Sequence, residues 1–326
     1  MMITIEVKDN PLGVEREWRE LPLQSSTATF FQSFDWAQVW FKHFSKNIPY
    51  ILTVRKASQL LAIAPFLKNG SDFSFWGTEE ILGGELVTDY GDIIAIKDQE
   101  EVVWPVILNH FDQLGANLDL HFLREESPSL RFLKSYSGLN LEIEIEDVAP
   151  FIRLPSAWED YLAGLKRKER QELRRKIRRL ESLGAFEICK PENLREGMRD
   201  FFRLMRLSND QKRNFLKPEI ERFFEEFACL LTTEKMIDLC FLDFEGQRIA
   251  ATLSFVCKNE ILLYNSGFDP AFSYLAPGFL LKAFLIKAAI SKRKSKFDFL
   301  RGNERYKYDL GAQDQNLYHV TFKGKK

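Results

Sequence analysis

The sequence predicts an α+β protein of two domains, each built on a mixed sheet flanked by helices, and three observations carry that prediction. The chain has 326 residues, more than the ~100 to 200 of a usual single domain. Its strand-like runs sit next to one another before a helical pattern intervenes, which suits a mixed sheet better than a doubly wound parallel one. The second half of the chain then repeats the plan of the first.

Taken in order, residues 2–8 alternate as a short strand. FFQSFDWAQVWFKHF then places Phe34, Trp40, Phe41 and Phe44 at roughly helical spacing, which predicts a buried aromatic helix. Runs at 50–55 and 60–67 flank a polar turn, and two more apolar runs near 73–76 and 93–96 extend the sheet. A helix over 102–114 and a strand over 118–122 complete the first half. Residues 145–150 hold acidic residues and a proline with no evident period, and they are read as the boundary between domains 1–147 and 148–326. Strands are expected in the second half at 151–154, 186–189, 236–243, 249–256, 261–266, 296–300 and 317–322, with Glu245-Gly246 as a hairpin turn.

Composition narrows the function. An apolar share of 45% can fill two cores, and a net charge of -1 gives no global attraction to DNA or to an acidic membrane. Cys189, Cys229, Cys240 and Cys257 form no C-x-x-C pair and read as reduced thiols. His43 and His110 fall on helices, and His121 and His319 on strands. None is near a partner at ligand spacing, so no metal site is expected. The start, MMITIEVKDN, lacks the charged lead and apolar core of a signal peptide. The longest apolar run, 275–290, is interrupted by Lys282 and Lys287 and falls short of the ~18 to 20 residues that cross a bilayer. These readings place the protein in the cytoplasm, or peripheral to the inner face of a membrane. No G-x-S-x-G elbow, Walker loop or Rossmann fingerprint occurs.

Residues 261–307 gather the parts of a phosphate-binding site in one stretch. A strand runs through Ser266 into Gly267 and a polar turn. Pro277-Gly278 then opens an apolar helix over 279–291, and a second strand follows at 297–300. Proline has no amide proton and glycine no Cβ, so such a start leaves neighbouring amides, Phe279 among them, open to an anion.

After that strand the chain reads Asp298, Phe299, Leu300, Gly302, Glu304, Tyr306 and Lys307. This tail, with the glycine loop and apolar helix before it, resembles the CelD-like and Fem-like group of the GNAT acyltransferase superfamily. The resemblance covers most of the chain and is strongest at 154–184 and 261–307. It implies two GNAT-like domains with mostly antiparallel sheets, the first degenerate. It also implies that acetyl-CoA or another acyl-CoA is the co-substrate, bound at Ser266, Gly267, Ser273, Ala276, Pro277, Gly278 and Phe279. Against the general GNAT loop pattern, Gln/Arg-x-x-Gly-x-Gly/Ala, Ser273 and Ala276 are departures and Gly278 a match. The resemblance further implies Tyr306 as proton donor to the departing thiolate, with Tyr308 its rival, and Lys307 as a cation for the developing oxyanion. Without it, Tyr306 reads as core and Lys307 as surface. Asp298 is a candidate general base or a partner of Arg301 or Arg305, and Glu304 is a second candidate base.

The stretch 165–184 predicts an amphipathic helix with Leu165, Leu173, Ile177 and Leu180 on one face and Arg167, Arg174 and Arg178 opposite. It reads either as a solvated face balanced by Glu169 and Glu172 or as a binding face for an anionic acceptor. The group often shows a similar basic helix here. Many of its members also carry a His and an Arg-Trp pair where this chain has Met205, Arg206 and Leu207. The function so implied is an acyl-CoA-dependent N-acyltransferase. Its acceptor is a small-molecule or lipid-linked amine of cell-envelope or polysaccharide biosynthesis. An aminoacyl-tRNA donor, as in Fem-like peptidyltransferases, and a non-enzymatic envelope scaffold are the competing readings.

Overall fold

A computed structural model describes residues 2–136, 140–230 and 236–325. Two compact units emerge: Met1–Val148 with Gln315–Lys326, and Ala149–Asp314.

In the first unit the chain runs β1 (Ile3–Lys8), α1 (Glu15–Glu20), α2 (Phe34–Phe44), β2 (Ile48–Lys56), β3 (Gln59–Asn69), β4 (Asp72–Phe75), β5 (Ile94–Ala95), α3 (Glu100–Leu114), β6 (Asn117–Arg124), α4 (Pro128–Ser135) and β7 (Leu141–Val148). A reciprocal capping box between Thr29 and Gln32, then Ser33 as N-cap, fix the entry to α2. That entry turns Trp36 and Trp40 into the core, where both are buried. α3 presents Val103, Trp104, Ile107, Leu108 and Phe111 to the sheet and stops at Gly115, whose φ of 61° is the left-handed position that glycine adopts without strain. Each large apolar side chain buried this way stabilises the unit by roughly 1.5 to 3 kcal/mol.

The second unit runs β8 (Phe151–Arg153), α5 (Trp158–Gly164), α6 (Arg167–Leu183), β9 (Phe186–Cys189), α7 (Leu194–Ser208), α8 (Asp210–Phe215), α9 (Pro218–Leu230), β10 (Ile237–Phe244), β11 (Gln247–Cys257), β12 (Glu260–Phe268), α10 (Pro277–Ser291), β13 (Lys296–Asp298) and α11 (Arg305–Asp309). Its sheet has the order β8-β13-β12-β11-β10-β9, antiparallel except for the β12–β13 pair. Glu245 and Gly246, with φ of 50° and 75°, make the tight turn between β10 and β11. α6 buries Leu173 and Leu180, the face its periodicity marks. α10 buries residues on all sides, from Leu280 and Leu281 to Ala289 and Ile290, as expected of a helix with little polar face.

The last strand, β14 (Asn316–Lys323), corrects the expected layout. The sequence reading put it in the second domain. It lies instead in the first unit's sheet, whose order is β1-β2-β3-β4-β6-β14-β7 with β5 added beside β3. Leu317, Val320 and Phe322 are fully buried there. Alternation marks them as a strand but cannot say which sheet they join. The segment read as an aperiodic linker also begins inside a strand, since Leu141, Ile143 and Ile145 alternate with glutamates along β7. The same insertion stacks His121 of β6 on His319 of β14, ring centroids 4.1 Å apart.

Candidate active site

The site grows from a divergence of two strands. β12 and β13 pair in parallel only from Glu260 to Leu262 against Lys296 to Asp298. β12 then continues to Phe268 along β11, with a register slip that leaves Tyr264 between the pairs Leu253–Asn265 and Ser254–Leu263. A bulge of this kind bends a strand and ends pairing on its far side. The chain after β13 turns away through Leu300 and Gly302, at φ of 58° and 99°. Residues 263–268 therefore have no strand beside them on that side among the described residues.

The start of α10 lies at the end of this divergence. Asp269 caps a 3-10 turn, Pro270–Leu275, and Ala276 follows in the left-handed region at φ 52°. Pro277 then begins the helix, and no side chain caps it. The amides of Gly278 and Phe279 have no intrahelical acceptor, and the helix directs its positive end there. A Cβ on Gly278 would come within 3.2 Å of the Phe268 ring, so the backbone sits close against β12. α6 supplies nearby charge: Lys176 Nζ is 4.9 Å from the Phe279 ring centroid, and the Arg179 guanidinium 5.8 Å from that of Tyr274.

Several residues named for the loop do other work. A Cβ on Gly267 would lie 2.4 Å from the Met205 nitrogen, so this glycine lets α7 pack on β12. Ser273 donates its hydroxyl to the Pro270 carbonyl at 2.6 Å. The Ser266 carbonyl accepts from the Lys212 ammonium. The Gly278 and Phe279 amides have no intrahelical acceptor, and Ala276 and Pro277 set the helix start. On α6, Arg167, Arg174 and Arg178 are exposed, and only a 3.6 Å ion pair to Glu159 engages Arg174 among the described residues.

α11 and the turn before it carry the polar groups. Lys307 is buried, and its ammonium meets the carbonyls of Leu300, Arg301 and Gly302 at 3.1, 2.7 and 2.9 Å and Glu304 Oε2 at 2.9 Å. Three hydrogens face four acceptors, so Lys307 clamps the turn and has no donor left for a substrate oxygen. Asp298 is fully buried, accepts the Leu300 amide at 2.8 Å and lies 3.1 Å from Lys296 Nζ. Lys296 is thus one partner, and through the Leu300 amide Asp298 supports the turn. Glu304 remains largely exposed at the head of α11.

Tyr306 packs edge-on against Phe299, and Lys282 Nζ lies 4.5 Å from its ring centroid. Burial, aided by the Glu304 charge, raises its phenol above the ordinary value, so it stays protonated at neutral pH. Tyr308 instead donates to Asp314 at 2.6 Å, and burial with that carboxylate pushes it up to about 12.

Two lysines complete the centre, and neither was named as a site residue. Lys282 is buried in α10 and donates to the Gly278 carbonyl at 3.1 Å. Burial, then the like charge of Lys212, pushes it down to about 7. Burial likewise pushes Lys212 of α8 down to about 8, against the pull of Glu304. In the sequence Lys282 served only to break an apolar run, although a lysine four residues into a buried helix is itself a signal. Lys212 lies in an unremarkable polar stretch. Together the opening holds a helix start for an anion, a neutral phenol and two poorly solvated amines.

Residues 167–308 match the family described as acetyltransferase (GNAT) domain. The whole chain is similar in fold to FemX, with a TM-score of 0.68 at 10% identity, covering 98% of this chain and 97% of that one. It is also similar to the C-terminal domain of a putative lysylphosphatidylglycerol synthetase from Agrobacterium fabrum (TM-score 0.59, 9% identity, 96% and 92% covered). L-PGS from Bacillus licheniformis gives a TM-score of 0.57 at 12% identity, with 95% and 92% covered. No curated protein matches the sequence. The second unit thus carries an acyltransferase domain of the GNAT superfamily. These likenesses, at 9 to 12% identity, show that the fold of the whole chain is shared with FemX and with the two proteins named for lysylphosphatidylglycerol synthesis.

Proposed function

We propose that the protein is an acyl-CoA-dependent N-acyltransferase whose acceptor is an amine of a cell-envelope or polysaccharide precursor. The observation that carries this reading is the bare start of α10, with the Gly278 and Phe279 amides beside the divergence of β12 and β13 and with Lys176 and Arg179 close by. Such a start suits a pyrophosphate, and the divergence suits an extended thioester arm. The acceptor nitrogen attacks the thioester carbonyl, the C–N bond forms and the C–S bond breaks. Tyr306 gives its proton to the leaving thiolate, and Glu304, exposed at the mouth, takes one from the attacking amine. Lys282 and Lys212 supply positive charge for the oxyanion in a poorly solvated setting. Lys307 acts by holding the turn. Arg167, Arg174 and Arg178 remain outside and offer a cationic face to a phosphate-bearing acceptor.

A second reading keeps the fold and changes the donor to aminoacyl-tRNA. Its support is the likeness to FemX and to a protein named for lysylphosphatidylglycerol synthesis, a name that describes an aminoacylated lipid headgroup. Calorimetry on the full chain with acetyl-CoA, longer acyl-CoAs and charged tRNA separates the two. We expect saturable acyl-CoA binding. Binding of charged tRNA with no acyl-CoA heat would overturn the first reading in favour of the second.

A further inference from the structure

We propose that Asp119, His121 and His319 of the first unit bind one divalent first-row transition ion of the zinc type. Asp119 and His121 are two residues apart on β6 and share a face, and His319 stands beside them on β14. One ligand atom from each lies within 4.8 Å of the others. His319 Nε2 is 2.6 Å from Asp119 Oδ1, and His121 Nε2 is 3.4 Å from Oδ2. Tetrahedral bonds of about 2.0 to 2.1 Å separate neighbouring ligand atoms by ~3.3 Å, so the trio has nearly the right span.

The outer nitrogens are already held. His121 Nδ1 meets Glu146 Oε2 at 2.8 Å, and His319 Nδ1 meets Glu144 Oε1 at 3.2 Å. A carboxylate on Nδ1 fixes the ring proton there and frees the Nε2 lone pair for a metal. Both imidazoles have this orientation, and both point their Nε2 toward one aspartate. The backbone is shaped to match. Phe122 sits at φ 62° where β6 slips against β14, and β7 slips against β14 one residue from His319. The second oxygen of Glu146 accepts the Phe122 amide.

A cavity of about 460 Å³ opens at Asp119 and His121, leaving room for water or another ligand in a further coordination position. Nitrogen and oxygen donors without sulfur suit zinc, cobalt or nickel. The rings lie almost parallel, 3° apart, so one must tilt for the lone pairs to converge. The proton shared by His319 and Asp119 leaves as the ion enters. The proposed acyl transfer uses none of these groups, so this inference stands apart from that reading.

The test is calorimetry of zinc chloride into the chelator-treated full chain, with cobalt(II) absorption as a second readout of the wild type. We expect one equivalent bound with a Kd of about 10 μM or tighter, and cobalt bands of nitrogen and oxygen ligation without a thiolate transition. Asp119→Asn and His319→Gln should weaken binding at least tenfold. Glu144→Gln, which touches only the outer nitrogen, should weaken it about tenfold. Circular dichroism confirms that each variant is folded. Absence of zinc heat and of cobalt bands in the wild type at about 100 μM ion overturns the proposal. So does undiminished binding in the folded His121→Gln/His319→Gln chain, which would move the zinc to the cysteines.

Discussion

Each unit inserts a helix of fifteen residues between two strands that pair in parallel, α3 between β4 and β6 and α10 between β12 and β13. The starts of the two helices differ. α3 opens with Glu100 and Glu101, and Glu100 is buried with its carboxylate 2.5 Å from the Ser26 hydroxyl. Acidic side chains there satisfy the positive helix end and repel a phosphate. α10 opens with Pro277 and Gly278 and has no acidic residue in its first turn, and neither helix has a side-chain cap. The strands differ too. β6 is covered along its length by β14, whereas β13 ends after three residues and the sheet opens. One architecture thus serves two ends, and under the proposed function the bare first turn and the opening beside it together suit the second copy to a phosphate.

The largest expected effect tests whether the opened copy does the chemistry. Tyr306→Phe removes only the donor and should lower kcat by about 10²- to 10⁴-fold, with kcat/KM falling in parallel and donor affinity unchanged. Tyr308→Phe, whose hydroxyl is committed to Asp314, should stay near wild type. Steady-state kinetics on both variants decides the matter, and full turnover by Tyr306→Phe would remove the phenol from the mechanism.

Next comes the buried amine. Lys282 falls from an ordinary value of 10.5 to about 7 on folding. Between those values the unfolded chain binds the extra proton, so stability rises with pH across that window. The cost is full below about pH 7 and vanishes above the unfolded value. Lys282→Met should therefore stabilise the protein by roughly 2 to 4 kcal/mol at pH 7, with the gain shrinking toward pH 10.5. Urea melts at several pH values measure this, and a pH-independent difference would mean the amine is solvated.

The smallest effect makes one helix imitate the other. Gly278→Asp gives α10 the acidic first turn of α3, crowds Phe268 and should weaken acyl-CoA binding by about 10- to 100-fold in calorimetry. The converse change, Glu100→Gln with Glu101→Gln, should create no second donor site, because α3 still lacks the Pro277-Gly278 start of α10. Unchanged affinity in Gly278→Asp would break the comparison at its first step.

Much of this was legible in the residues. The α10 start shows itself as Pro277-Gly278 before an apolar run, and α6 as a periodic Leu and Ile face against arginines. The elements of the second sheet follow alternation and the Glu245-Gly246 turn. What alternation cannot give is partnership across distance. Lys212, Lys282 and Glu304 meet through tertiary packing, and His121 meets His319 only because a late strand enters an early sheet. The roles first given to Lys307 and Asp298 changed for a related reason. A sequence shows that a charge is present but not how many acceptors already surround it, and both side chains spend their hydrogen bonds on the turn at Leu300.

The position of β14 also orders the folding of the molecule. β6 and β7 leave the ribosome well before their shared neighbour, and β14 pairs with both along most of its length. Until β14 is synthesised, the first sheet has an open slot lined by unpaired backbone and apolar side chains, the kind of edge that invites pairing with another chain. The second unit contains its own sheet in continuous sequence, Ala149–Asp314, and meets no such wait. The half of the protein made first is thus the half completed last, and a cut that removed β14 would injure the N-terminal unit while sparing the acyltransferase domain.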